Sequence, residues 1–96
     1  MYENIINNKC IVRSCEAGVY FGTVTEINGK TVRIENVRNI WRWDGASCLS
    51  QIANDGIKGG KVSPVVSSMV LNGCCQIIPC SGKAIENLES QRVWKY

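Results

Sequence analysis

Trp41 and Trp43 stand two apart with Arg42 between them, and the turn Asp44-Gly45-Ala46-Ser47 follows at once. If residues 38–43 are extended, side chains alternate, which puts Trp41 and Trp43 on one face and Arg38, Ile40 and Arg42 on the other. Two neighbouring indoles make a flat platform on which a purine or another ring stacks, at about 1–3 kcal/mol per base. A helix starting just after the turn would offer unpaired amide hydrogens and the positive end of its dipole to phosphate or carboxylate. Gly45 and Ala46 leave room for a ligand near the backbone, and Ser47 and Ser50 add hydroxyl donors. Arg38 or Arg42 supplies a bidentate cation if the strand twists. The expected binding set is therefore Arg38, Trp41, Arg42, Trp43, Gly45, Ala46, Ser47 and Ser50, and the expected ligand is small, anionic and nucleotide-like. The plain alternative stands beside it: tryptophans that belong to the core, a turn that only caps a helix, and Arg38 and Arg42 as solvated or interface arginines.

Catalysis is not expected. The chain has no histidine, so the commonest general base is missing and neither a Ser-His nor a Cys-His pair can form. Cys48, near a helix start, has the one setting that could activate a thiol, but a small buried residue in the first turn is the preferred reading. The carboxylates form no paired motif, with Asp44 and Asp55 at opposite ends of the expected helix and Glu86 and Glu89 on a surface helix. There is no Walker A loop and no GxGxxG, and no cofactor is expected. The six cysteines include two C-x4-C spacings, Cys10/Cys15 and Cys75/Cys80. Neither has the tight knuckle usual for zinc, and residues five apart on a strand point to opposite faces, so no metal is expected. In a reducing cytoplasm the expected state is buried thiols rather than a disulfide frame.

The elements that must position these residues are mostly strands. KCIVRS (9–14) reads as a first strand; GVYFGTVTEI (18–27) and KTVRIENV (30–37) read as a hairpin joined at Asn28-Gly29. Gly22 in mid-strand marks a bend or bulge, and strand character resumes at RNIWRW across a second kink after Asn36. ASCLSQIANDG (46–56) reads as a helix with Leu49, Ile52 and Ala53 inward, Asp44 or Ser47 as N-cap and Gly56 at its left-handed end. KGGK (58–61) reads as a loop, VSPVVSSMVLN (62–72) and CCQIIPC (74–80) as strands that Pro64 and Pro79 confine to edges or ends, and SGKAIENLES (81–90) as a helix begun by Ser81 with Ile85 and Leu88 inward. QRVWKY is a tail. The expected fold is a single α+β domain over residues 1–96: a small, strongly bent five-stranded antiparallel sheet of SH3-like or Sm-like barrel form, with one helix between strands three and four and a short C-terminal helix. An open five-stranded α+β sheet is the alternative.

Composition frames these readings. Apolar content of 45% and charged content of 20% are those of a globular protein, and a net charge of +3 is too mild to mark a nucleic-acid binder. Between Lys30 and Arg42 four cations (Lys30, Arg33, Arg38, Arg42) face only Glu35, and from Gly56 to Ala84 there are three lysines and no acid. The opening MYENIINNKC has no secretory pattern, and no stretch reaches the roughly 18 apolar residues of a membrane span, so a cytoplasmic, membrane-free protein is expected. The apolar SPVVSSMVLNGCCQII segment and free sheet edges make a homo-oligomer the expected assembly, with residues of the Arg92–Tyr96 tail able to reach a neighbour.

The runs AGVYFG (17–22), VRNIWRWDGASCLSQIANDG (37–56) and QIIPC (76–80) resemble a family of small uncharacterised proteins common in phage and prophage genomes. Its members carry an AGV-x-x-G turn, an RRIWYW-x-GA-x-SLSQLA-x-x-G core and an EIIPCT strand, and the likeness spans residues 10–96. Here Asn39 stands where that pattern has arginine, Arg42 where it has an aromatic, and Cys48 is a departure in the serine-leucine neighbourhood. The resemblance implies a setting, the bacterial host cytoplasm, rather than an activity. By analogy with other small non-catalytic phage proteins, it implies a counter-defence factor that sequesters a cyclic oligonucleotide or an ADP-ribose derivative. Two other readings compete: a protein-binding inhibitor that presents tryptophan and arginine to a host factor, and an Sm-like RNA-binding module.

Overall fold

Residues 2–94 are described by the computed structural model, so Lys95 and Tyr96 of the expected tail lie outside the described residues. The apolar run in KCIVRS forms β1 (Lys9–Ser14), where Cys10 and Val12 are buried on one face and Ile11 on the other. It pairs antiparallel with β2 (Gly18–Asn28), which turns into β3 (Thr31–Asp44). Asn28 pairs with Thr31, so the tight turn is Gly29-Lys30, one residue later than expected, with Gly29 supplying the positive φ of 62°. The kink expected after Asn36 is present: Asn36 takes a φ of 50°, and the β2–β3 register slips beside Gly22. A Cβ on Gly22 would lie 2.9 Å from the Glu35 carbonyl oxygen, so only glycine lets the strands approach so closely.

Six strands form, not five. Gly59–Lys61 of the stretch read as a loop, with Val62 added, form β4 (Gly59–Val62); Ser63–Val65 break the strand expected over 62–72, and β5 (Val66–Leu71) and β6 (Cys74–Pro79) follow. The sheet runs β4-β3-β2-β1-β6, with β5 also on β3. One edge of β3 is shared: Val32–Val37 pair with β5, and Ile40–Asp44 with β4. Only Asn72-Gly73 joins β5 to β6, which brings the two ends of the coiled sheet together without a ladder between them. The result is a six-stranded antiparallel α+β fold, bent toward a barrel but not closed.

The sheet buries both faces. Inside the curl lie Val12, Tyr20, Val24, Val32, Ile34, Val37 and Leu71, with Ile5 of the N-terminal turns packed among them. Outside, Ile11, Phe21 and Ile40 meet α1 (Leu49–Asp55) and α2 (Gly82–Glu89) through Ile52, Ala53 and Leu88. Ser81 caps α2 as expected, its hydroxyl accepting from the Ala84 amide. Asn87 clasps the two helices: its side-chain amide accepts from the Ile57 N–H and donates to the Ile57 carbonyl, both at 2.8 Å.

The thiols do not share one fate. Cys10 and Cys74 are buried, Cys80 is half-buried, and Cys15, Cys48 and Cys75 are exposed, which corrects the expectation of buried thiols throughout. Among the described residues no three metal-ligating side chains cluster, and no helix is long and apolar enough to cross a membrane.

Candidate functional site

The end of β3 does not alternate as an unbroken strand would. Its pairing with β4 slips between Ile40 and Arg42, which leaves Trp41 in the irregularity. Ile40 and Trp43 therefore serve the same core, beneath the helices, while Trp41 and Arg42 face solvent. The expected common face for Trp41 and Trp43 is thereby corrected. Trp43 is half-buried, and its indole Nε1 donates to the Ala46 carbonyl at 3.2 Å. That bond folds the turn back onto the ring and packs Ala46 on the helical core.

Trp41 is 55% exposed and stands on a partner that sequence order hides. Its ring meets Trp94 edge to face, with centroids 5.1 Å apart and planes at 76°. The Lys61 ammonium sits over both rings, 5.0 Å from the Trp41 centroid and 4.5 Å from that of Trp94. The C-terminal segment is held there by its backbone: Trp94 N–H donates to the Val62 carbonyl at 2.9 Å, and Val93 bridges Val62 in parallel. Trp41 thus belongs to an aromatic pair with its own cation, apart from Trp43.

Arg38 is a brace. Only 4% exposed, it donates from Nε to the Ser63 carbonyl and from Nη1 to the Leu88 carbonyl, each at 2.9 Å. Burial holds its pKa below the ordinary arginine value. Its expected role on a ligand surface is overturned, because its donors tie β3 to the β4–β5 connection and to α2.

The turn is also occupied by the chain itself. Gly45 has a φ of 88°, and a Cβ there would fall 2.5 Å from Cγ of Lys58, so the space expected for a ligand is filled by the lysine stem. Ser47 gives both its amide and its hydroxyl to the Gln51 side-chain oxygen, at 2.9 Å each. Cys48, not Asp44 or Ser47, is the N-cap of a helix of seven residues. The Gln51 amide, then the Ser47 hydroxyl, hold the exposed Cys48 thiol below its usual pKa, against weak desolvation. At this helix start the amide and hydroxyl of Ser47 are taken by Gln51, and the Cys48 N-cap makes no side-chain capping bond.

What the fold does build beside Trp43 is an open cleft of about 490 Å³, lined by Arg13, Val19, Trp43, Cys48, Leu49, Ser50 and Gln76. Four strands and the start of α1 contribute: Arg13 from β1, Val19 from β2, Trp43 from β3, Gln76 from β6. Of the expected set, only Trp43 and Ser50 line it; Trp41 and Arg42 lie on exposed β3 positions, and Arg38 is inside. Arg13 and Gln76 escaped the sequence reading because they lie on strands 63 positions apart with no motif around either, and only the β1–β6 ladder, which pairs Arg13 with Gln76, places them together. Cleft volumes of about 300–1,000 Å³ suit small-molecule ligands. The lining offers an indole, a cation, a hydroxyl, an amide and a thiol, with no acid among them.

No curated protein and no solved structure matches the chain. A family match covers residues 7–88, nearly the whole of the sheet and both helices, including every residue that lines the cleft. The chain belongs to the family described as a domain of unknown function (DUF6948).

Proposed function

We propose that this protein is a non-catalytic binder of a phosphate-bearing, nucleotide-type ligand held in the cleft beside Trp43. The observation that carries the reading is the convergence of the Trp43 indole, the Arg13 guanidinium and the Ser50 hydroxyl on one open volume of about 490 Å³. An exposed indole edge or face binds bases through stacking, a guanidinium matches phosphate geometry in a bidentate way, and a hydroxyl or amide fixes orientation. The cleft lining carries no carboxylate that would repel an anion. In a phage-encoded setting, within a bacterial cytoplasm, such a protein acts by sequestering a cyclic oligonucleotide or an ADP-ribose derivative. Thermal denaturation against a panel of cyclic dinucleotides, linear dinucleotides and ADP-ribose isomers tests this. A ligand at 100 times its Kd adds ~2.7 kcal/mol, which raises the Tm of a domain this size by about 10–20 °C. Arg13→Gln should remove that rise without changing the Tm of the free protein, whereas no response across the whole panel defeats the reading.

A second reading has its own observation. Trp41, with Lys61 and Trp94, forms an exposed aromatic and cationic patch of the kind found at protein interface hot spots. If it docks a protein partner, Trp41→Ala abolishes a stoichiometric complex recovered from host lysate and leaves any nucleotide response intact.

A further inference from the structure

Cys15 and Cys75 are 60 positions apart in sequence, yet their sulfur atoms lie 3.0 Å from one another at the surface. The backbone forces this meeting. Cys15 follows the end of β1, and its N–H donates to the Gly73 carbonyl at 3.0 Å. Ser14 reaches across from the same turn to the Asn72 carbonyl. The β1–β6 register slips between Arg13 and Ser14, pairing Ser14 with Cys74 and Arg13 with Gln76, so Cys75 is the extra residue in between. Its thiol donates to the Arg13 carbonyl, and its sulfur accepts from the Cys15 thiol. Neither residue belongs to a hydrophobic core, in contrast to Cys10 and Cys74. Two exposed thiols in contact across a strand pair, held by ladder bonds on both sides, are placed for oxidation rather than for packing.

We propose that Cys15 and Cys75 are a redox-active dithiol that a small-molecule disulfide, such as oxidised glutathione, converts reversibly into an intramolecular disulfide. One cysteine, as thiolate, attacks a glutathione sulfur; the glutathione S–S bond breaks, one glutathione thiolate leaves, and a mixed disulfide forms on the protein. The second cysteine, its proton passed to water, attacks the protein-side sulfur of the mixed disulfide and expels the second glutathione thiolate. Both departing thiolates take up the protons that the two cysteines lost. Two electrons thus pass from the protein to one glutathione disulfide, giving one protein disulfide and two glutathione thiols. The sulfurs must close by roughly 1 Å to reach the ~2.05 Å of a disulfide, a side-chain rotation rather than a strand movement. Disulfides of this exposed, reversible kind are the ones expected in a reducing compartment. The bond would fasten the β1–β2 turn to the first part of β6, beside the seam where β5 and β6 have no ladder.

The test is incubation of the full chain in glutathione buffers of graded redox ratio, followed by acid quench, alkylation and mass spectrometry of intact protein and peptides. The expected result is a monomeric species lighter by two hydrogens, with a Cys15–Cys75 cross-linked peptide and a Tm raised by about 5–15 °C, reversed by reduced glutathione. Cys15→Ser and Cys75→Ser should each stop at a stable glutathione adduct and lose the Tm rise, while Cys48→Ser should keep both cross-link and rise. The proposal is overturned if both thiols remain alkylatable under oxidising buffer, or if the cross-links found run to Cys48, to Cys74 or between chains.

Discussion

Replacing Arg38 with methionine separates a structural arginine from a ligand-binding one. The guanidinium makes two charge-assisted bonds to backbone carbonyls, at 2.9 Å each, in a site 4% exposed. Such bonds contribute about 1.5–3 kcal/mol apiece, or about 3–6 kcal/mol together. Against them stands the cost of burying the cation, visible as its lowered pKa, and of an Nη2 with no hydrogen-bond partner among the described residues. Methionine retains most of the stem's packing and removes that cost, but it strands the Ser63 and Leu88 carbonyls. The net expectation is a loss of about 2–3 kcal/mol, read as a Tm lower by about 10–20 °C in a domain of this size. Urea denaturation should give the same loss from the midpoint with an unchanged slope. Arg38→Lys, which keeps one charged head but cannot reach both carbonyls from fixed fork geometry, should fall between the two. If Arg38→Met leaves the Tm within about 2 °C of the parent and instead removes a nucleotide response, Arg38 serves the ligand and the brace reading is wrong.

Other perturbations give sharp outcomes. Trp41→Ala should cost less than about 1.5 kcal/mol, since the ring is half in solvent and gives up one edge-to-face contact and a shared cation; unfolding of that variant would contradict the exposed placement. Asn87→Leu leaves the Ile57 N–H and carbonyl without their 2.8 Å partners and should destabilise by about 2–3 kcal/mol in a calorimetric scan, with hydrogen exchange accelerated at Ile57. Gly22→Ala places a methyl 2.9 Å from both the Glu35 carbonyl oxygen and Ile34 Cγ1, and should cost about 1–3 kcal/mol by equilibrium unfolding. Burial pushes the Cys10 thiol up to about 11 and the Cys80 thiol up to about 12. Because the folded values exceed the unfolded one near 9, this contribution to stability is complete below pH 9 and is lost as pH rises toward 11–12. The fall in Tm across that alkaline range should therefore be shallower in Cys10→Ala/Cys80→Ala than in the parent.

Local signals carried most of the element list and little of the site. The apolar run of β1, the glycine beside the β2–β3 slip, the positive φ at Asn36 and the Ser81 cap all have causes within a few residues, so the sequence states them directly. Gly59-Gly60-Lys61-Val62 was unreadable as a strand because its pairing with β3, not its own propensity, makes it one; two glycines argue against strand in any local view. The site failed for the same physical reason on a larger scale. A single register slip at Trp41 separates two tryptophans that strict alternation unites, and nothing in RNIWRWD announces the slip. Trp94, Lys61, Arg13 and Gln76 reach their places through pairings between elements far apart in the chain. Trp43 and Ser50, close in sequence, both line an open cleft at the junction of strand and helix.

The length of β3 has a consequence of its own. Fourteen residues laid straight would reach about 43 Å at ~3.3 Å per step, whereas the molecule measures 32 Å along its longest axis. The strand must therefore travel as short rods joined at corners, and the irregularities beside Asn36 and Trp41 are those corners. Each rod answers to a different wall: one to the inner curl, the last to the helices. Deleting a single residue at the second corner would not merely shorten the strand. It would take out the extra residue and the corner with it, leaving a regular ladder with Ile40 and Trp43 still on the core face and Arg42 outward.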